Sequence, residues 1–379
     1  MQLRTLDDLG DVKGKRVLVR VDFNVPMDGA RVVDDTKMRL TLPTITQLLE
    51  RGASLVLCSH LGEGKPRETL APVAVHLQRL LEKRRVRFLR DRVGPALVKH
   101  LRGLRSGDVV LLENVRRYSG EASNSPTFAR ALAQLGDVYV NDAFGVSHRA
   151  HASLARVPTL LPSAAGLLLA REVSALAHLL EDAVRPFIAL MGGAKIATKA
   201  PVIERLMGVA DTVLLGGALA STFFAARGYA VGDSLVEASG IAAAKHLLRN
   251  PKRHNLVLPI DVVVGDASGK QSDVRVVPIG TRPHQVCMHP FAILDIGPAT
   301  IRAYSQQLKA AATIVWNGPM GMFERPPFRH GSVILARLIA TRSSGRAFGV
   351  VGGGETLAVL AQTKMERYID HVSSGGGAM

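Results

Sequence analysis

Two doubly wound α/β domains with parallel sheets, joined by one long hinge helix, are what this sequence predicts, and three observations predict them. Short β-branched runs alternate with amphipathic segments along the whole chain, the pattern of strand-helix units in parallel sheets. At 379 residues, 47% of them hydrophobic, the chain exceeds one ordinary core and can fill two. Between the two series an apolar pattern runs from Ser163 to Asp182 without a turn residue after Gly166. Its length, about five helical turns, is enough to bridge two domains. The expected division is residues 1–165, a connecting helix over 166–184, and residues 185–379.

In the first series, strands are expected at Arg16–Phe23, Ser54–His60, Val86–Leu89, Asp108–Glu113 and Val138–Phe144. Helices are expected at Thr41–Arg51, Ala71–Lys83, Gly94–Leu104 and Pro126–Leu135, from 3.6-residue spacing such as Leu77, Leu80 and Leu81. In the second series the strands are Phe187–Leu190, Thr212–Leu215, Leu256–Val264, Thr313–Trp316 and Ala347–Val351, again with helices between.

Composition excludes several classes. The longest apolar run, Val157 to Ala170, is interrupted by Pro162 and Ser163 and is too short for a membrane span. The first residues, Met1 to Gly14, carry scattered charges and no apolar core of a leader, so a cytoplasmic protein is expected. Cys58 and Cys287 lack metal-type spacing and read as two buried small hydrophobes in a reducing compartment. The net charge of +16 invites an anionic partner. Basic residues are nevertheless spread along the chain and aromatics are only 4%, which argues against nucleic acid.

Ligands of open α/β sheets sit beyond the carboxyl ends of strands, so the polar residues there carry the functional reading. In the first half these are Asp22 and Asn24, His60, Arg116 and Arg117, then Asn141 and Asp142, followed by His148, Arg149 and His151. Cations with a few hydrogen-bonding partners suit a small polyanion. A His148/His151 metal pair lacks the neighbouring ligands of zinc motifs. The second half offers Gly192-Gly193, Lys195 and Lys199 one helical turn apart, Gly216-Gly217, Asn317, Glu324, Gly352-Gly353-Gly354, Glu355, Thr356 and Gly375-Gly376-Gly377. Glycines at strand ends let a phosphate approach backbone N–H groups at helix starts, and one acid can reach a magnesium ion. No Walker A or G-x-G-x-x-G sequence is present, so the nucleotide mode must be another.

The segments Val21–Pro26 (VDFNVP), Ser59–Gly62 (SHLG), Leu112–Arg116 (LENVR), Val140–Ser153 (VNDAFGVSHRAHAS), Gly192–Lys199 (GGAKIATK), Leu294–Pro298 (LDIGP), Trp316–Glu324 (WNGPMGMFE), Gly352–Thr356 (GGGET) and Ser374–Ala378 (SGGGA) follow in order. Together they resemble the phosphoglycerate kinase family over essentially the whole chain. The resemblance implies two Rossmann-like domains, 3-phosphoglycerate on the N-terminal one and Mg-ATP on the C-terminal one, and a monomer that closes about its hinge helix. It implies reversible phosphoryl transfer between ATP and the carboxylate of 3-phosphoglycerate, giving ADP and 1,3-bisphosphoglycerate. By the same resemblance, Asp22, Phe23, Asn24, Lys37, His60, Leu61, Gly62, Arg116 and Arg149 hold the acid. Lys199, Gly216, Gly217, Asn317, Pro319, Glu324, Gly353, Gly354, Glu355, Thr356, Gly375 and Gly376 hold the nucleotide, with Glu355 toward Mg²⁺. Lys195, Lys37 and Arg149 attend the phosphoryl in flight.

The sequence departs from the family pattern at four places. Lys37 stands where the family has an arginine, keeping the charge and losing the fork. Glu63 follows Ser-His-Leu-Gly where an arginine is expected, with Lys65 or Arg67 as substitutes if the loop bends back. Glu355 replaces an aspartate, and the chain ends at Met379 where the family continues. Two readings follow: an active kinase, or a weakened relative that binds nucleotide or metabolite without efficient turnover.

Overall fold

The structure, a computed structural model, describes residues 3–82, 84–268, 273–281 and 284–375. The chain divides into two compact units, the boundary falling between Ser174 and Ala175.

In the first unit, β1 (Arg16–Val21), β2 (Ser54–Cys58), β3 (Val86–Leu89), β4 (Val109–Leu112), β5 (Val138–Asp142) and β6 (Ser163–Ala165) form one six-stranded sheet. Its order is β3-β4-β2-β1-β5-β6 and every pair is parallel. Both faces are covered, which is why the strands read as continuous Val/Leu runs. Val17, Val19 and Val21 pack with Ile45 and Leu48 of α1 (Thr36–Glu50) and Val73 and Leu77 of α2 (Ala71–Leu80). Leu18 and Val56, on the opposite face, pack with Leu97 and Leu101 of α3 (Pro95–Leu101) and Leu132 of α4 (Pro126–Ala133).

α1 begins five residues before the expected Thr41. Pro43 is accommodated inside the helix, and Asp34 Oδ1 accepts the Thr36 N–H at 2.8 Å ahead of the first turn. Lys37 therefore rides on the first turn of α1. The expected helix from Ser163 is also corrected: Ser163–Ala165, following Pro162, pairs with Tyr139–Asn141 as β6, and α5 spans Leu167–Glu181. The end of the expected helix at Lys83 lies outside the described residues, and α2 stops at Leu80.

The second unit repeats the plan. β7 (Phe187–Met191), β8 (Thr212–Leu215), β9 (Leu256–Val257), β13 (Thr313–Asn317), β14 (Phe348–Gly352) and β15 (His371–Val372) form a parallel sheet of order β9-β8-β7-β13-β14-β15. One face packs α6 (Ile196–Val209), α7 (Gly217–Ala226) and α8 (Ile241–Arg249) through Ile203, Phe223 and Leu247. The other packs α9 (Pro298–Ala310), α10 (His330–Ser343) and α11 (Gly354–Thr363) through Leu308, Leu335 and Leu360.

Leu256–Val264 is not one strand. Leu258-Pro259-Ile260 interrupts it, since proline cannot donate to a ladder. β9 stays at the edge of the parallel sheet, while β10 (Asp261–Asp266) joins an antiparallel sheet between β11 (Arg275–Pro278) and β12 (Phe291–Ile296). This small sheet is an addition to the expected architecture.

Candidate functional site

In the first unit the carboxyl ends of β1, β2, β4 and β5 bring the polar residues together. Asp22, buried just past β1, accepts from Lys37 Nζ at 2.9 Å through Oδ2 and from the Asn24 N–H at 3.2 Å through Oδ1. Asn24 Oδ1 in turn accepts the Gly62 N–H at 3.0 Å, and the Ser59 hydroxyl accepts the Phe23 N–H at 2.8 Å. Leu61 is buried, with its carbonyl held by the Asn114 amide at 2.7 Å. Asn114 Oδ1 accepts the Arg116 N–H at 3.0 Å, and the Arg116 guanidinium reaches back to Gly62 O. The loop after β2 and the loop after β4 are thus one hydrogen-bonded body.

His60 is buried at the end of β2, with Arg20 Nη2 3.2 Å from Nδ1. Its pKa is driven far below the ordinary histidine value by burial and then by the charges of Arg20, Arg116, Lys37 and Arg149. Arg116 is itself pushed down, by burial first and also by Arg149 and Arg20, with Glu63 acting in the opposite direction. Groups of one sign crowded to this degree call for an anion. Arg149 is exposed on the loop after β5. Arg117 turns away to Glu113, at 3.0 Å.

The departures from the family pattern have definite places. Lys37 keeps its charge against Asp22. Exposed Glu63 lies 3.4 Å from Arg116 Nη1. Lys65 is exposed beside Glu68, whose carboxylate accepts the Lys65 N–H at 2.7 Å. Asp142 does not serve the cation cluster: its Oδ1 accepts the Leu169 N–H at 3.1 Å in the first turn of α5. His151 Nδ1 lies 3.8 Å from Glu121 Oε1.

In the second unit the chain leaves β7 and β13 side by side at the point where strand order reverses, the usual ligand crevice of such sheets. Gly192 donates to Asn317 O and Gly193 to Pro319 O, each at 2.9 Å, while Gly217 donates to Met320 O at 2.9 Å. Gly193 and Gly318 have φ of +83° and +95°, and a Cβ on either would meet Lys199 Nζ, at 2.8 and 2.5 Å. Gly216 packs so closely on Met320 that a side chain has no room. Lys199 Nζ donates to Gly192 O, and burial lowers its pKa while Glu355 counteracts that effect. Lys195 is exposed at the N-cap of α6.

Thr356 is buried and its Oγ1 accepts the Gly318 N–H at 2.6 Å, fixing the loop after β13. Asn317 is buried beside Gly353, and Gly354 opens α11 with nothing within 4 Å of a notional Cβ. A cavity of about 290 Å³ adjoins this floor. Gly193, Gly217, Pro319, Glu324 and Glu355 line it together with Leu235, Pro259 and Val262. Gly375 is buried and donates to Ser373 Oγ at 3.3 Å, whereas Gly376 lies outside the described residues. Among the described residues there is no cluster of three or more metal-binding side chains.

Several residues in these networks carry no local signal in the sequence. Ser59 and Asn114 tie the loops after β1, β2 and β4, Ser332 accepts the Met320 N–H at 2.9 Å, and Asp295 accepts the Gly331 N–H at 2.9 Å. Arg20 is the one with a signal in the sequence, a cation inside an otherwise apolar strand.

Cations gathered around a buried histidine at the strand ends of one unit, and glycine-opened strand ends in the other, are chemistry suited to a phosphotransferase. The family model for phosphoglycerate kinase matches residues 6–379. The phosphoglycerate kinase of Thermomicrobium roseum is 48% identical over 99% of this chain and 95% of the relative, and that of Roseiflexus sp. is 44% identical over 100% and 95%. Among solved structures, phosphoglycerate kinase from Coxiella burnetii superposes with a TM-score of 0.83 at 36% identity, covering 100% of this chain and 95% of that one. The Pyrococcus horikoshii enzyme gives 0.84 at 29% identity, covering 99% and 94%.

The chain belongs to the phosphoglycerate kinase family. It is a glycolytic kinase with ATP and ADP as substrate nucleotides, moving a phosphoryl group between ATP and 3-phosphoglycerate. The alternative of a weakened relative finds no support in these comparisons.

Proposed function

We propose that 3-phosphoglycerate is held in the first unit by Asp22, Asn24, Lys37, His60, Arg116 and Arg149, with the backbone of Phe23, Leu61 and Gly62 shaping the floor. The observation that carries this reading is the buried His60 with Arg20 3.2 Å from its Nδ1 and the charges of Arg116, Lys37 and Arg149 acting on it, a concentration of positive charge that favours an incoming polyanion. The nucleotide is assigned to the second unit. Its base takes the apolar side of the cavity near Leu235, Pro259 and Val262, and its phosphates take the floor of Gly193, Gly217, Gly353 and Gly354 at the start of α11. Lys199, Asn317, Pro319, Glu324 and Thr356 frame them, with Gly216 and Gly375 behind.

Glu355 fits a Mg²⁺ that would be held mainly by nucleotide oxygens, since its Oε2 lies 3.4 Å from where a Cβ on Gly193 would stand and its charge acts on Lys199. When bound, the ion neutralises phosphate oxygens as charge moves across them. A carboxylate attacks without a general base, so the protein's task is positioning and charge compensation. We assign Lys195 to the travelling phosphoryl, and Lys37 and Arg149 to the acceptor side. In-line transfer requires the two substrates to meet, and α5 is the proposed hinge. The working form is taken to be a cytoplasmic monomer.

A coupled assay with Mg-ATP and 3-phosphoglycerate tests the assignment. Lys195→Ala should lose kcat by about 10²- to 10³-fold with little change in either KM, and unchanged turnover would remove Lys195 from the reaction. Arg116→Ala should raise KM for 3-phosphoglycerate alone. An equal rise for ATP would refute the division of substrates between the units.

A further inference from the structure

The geometry points to Arg20 as a positioning residue for acid binding: its guanidinium fixes His60 as the neutral tautomer whose proton sits on Nε2. The inference rests on the reading that His60 belongs to the acid site.

Arg20 lies in β1 and is fully buried. Its Nε donates to Ser153 Oγ at 2.9 Å, Nη1 to Val21 O, and Nη2 lies 3.2 Å from His60 Nδ1. A guanidinium has donors and no acceptor, so the last contact is a hydrogen bond only when Nδ1 carries a lone pair. The guanidinium is not free to turn away. Ser153 is itself clamped, its Oγ donating to Glu121 Oε1 at 2.5 Å, its N–H to Glu121 Oε2 at 3.0 Å, and its carbonyl accepting from Tyr139 Oη at 2.6 Å. Glu121, also fully buried, is linked to Arg20 through the Ser153 hydroxyl that both of them bind.

Asp22 Oδ1 approaches the same Nδ1 at 3.9 Å, beyond hydrogen-bond reach, and so does not hold a proton there. Arg116, Lys37 and Arg149 add to Arg20 in opposing a second proton on the ring. Nε2 has no protein partner among the described residues. The imidazole therefore offers one neutral N–H donor, and its contribution to holding an anionic oxygen does not fade as pH rises through the ordinary histidine range.

Long-range ¹H–¹⁵N spectra of the full chain labelled at histidine read the tautomer directly. The expected result is the Nε2–H form from about pH 5.5 to about pH 8.5. An Nδ1–H ring or an imidazolium at neutral pH overturns the inference. In Arg20→Gln, whose amide can donate or accept, His60 should show mixed tautomers. KM for 3-phosphoglycerate should rise about tenfold while KM for ATP is unchanged. Arg20→Lys, which retains a donor and the charge, should restore the Nε2–H signal. A folded Arg20→Gln with the wild-type tautomer and KM overturns the role. Should neither variant fold, the wild-type spectrum still decides. If the tautomer is as inferred but added 3-phosphoglycerate moves no His60 resonance, His60 leaves the acid site and Arg20 loses its positioning role with it.

Discussion

Replacing Asp142 by asparagine should make the protein less sensitive to rising pH. Asp142 is buried at the end of β5, where its Oδ1 accepts the Leu169 N–H of α5. Burial raises its pKa from 3.8 to about 6, against the lowering effect of Thr44 and the first-turn amides. The folded state then holds a proton that the unfolded chain has released, so stability falls as pH rises from the unfolded value toward the folded one. The shift corresponds to about 3 kcal/mol in full, of which about 1 kcal/mol has already appeared near pH 4.5. Asparagine keeps the acceptor and cannot ionise. Urea unfolding of both proteins between about pH 4.5 and about pH 7.5 should show the variant gaining about 2 kcal/mol on wild type across that interval, whatever the offset at the acid end. A constant difference would mean that Asp142 is not a buried ionisable cap, and a difference growing toward acid would reverse the reasoning.

Three further outcomes concern the site. Glu63→Gln removes the carboxylate 3.4 Å from Arg116 and should lower KM for 3-phosphoglycerate by about two- to fivefold, the scale of an exposed ion pair; steady-state kinetics at low and high salt should show the gain vanishing with screening. Gly193→Ala meets both a left-handed backbone and Lys199 Nζ at 2.8 Å, so KM for ATP should rise about tenfold, read beside an unchanged KM for 3-phosphoglycerate. Lys37→Arg restores a fork beside Asp22 and should raise kcat, by up to about tenfold if the second hydrogen bond forms in the transition state, as the coupled assay would register.

What was legible in the sequence follows a physical line. Parallel strands buried on both faces must be apolar throughout, so β1, β2, β7 and β13 are legible in the sequence, as are the glycines that open the strand ends beside them. The misread segments are those in which a partner decides. Ser163–Ala165 is a strand because β5 offers it a free edge, and Leu256–Val264 divides because a proline releases its second half to an antiparallel sheet. The same holds for the site. Arg20 and Ser153 are 133 residues apart, and Glu121 is 32 from Ser153, so no local spacing relates them. Yet Arg20 stands between Val19 and Val21 in a strand with no exposed face, where an unpaired charge would be prohibitive. Its presence there already required a buried carboxylate and a fixed set of acceptors, and Glu121, Ser153 and His60 Nδ1 are the groups that meet the requirement. A charge in the middle of an apolar run is therefore a sequence signal for a network whose other members only the fold can name.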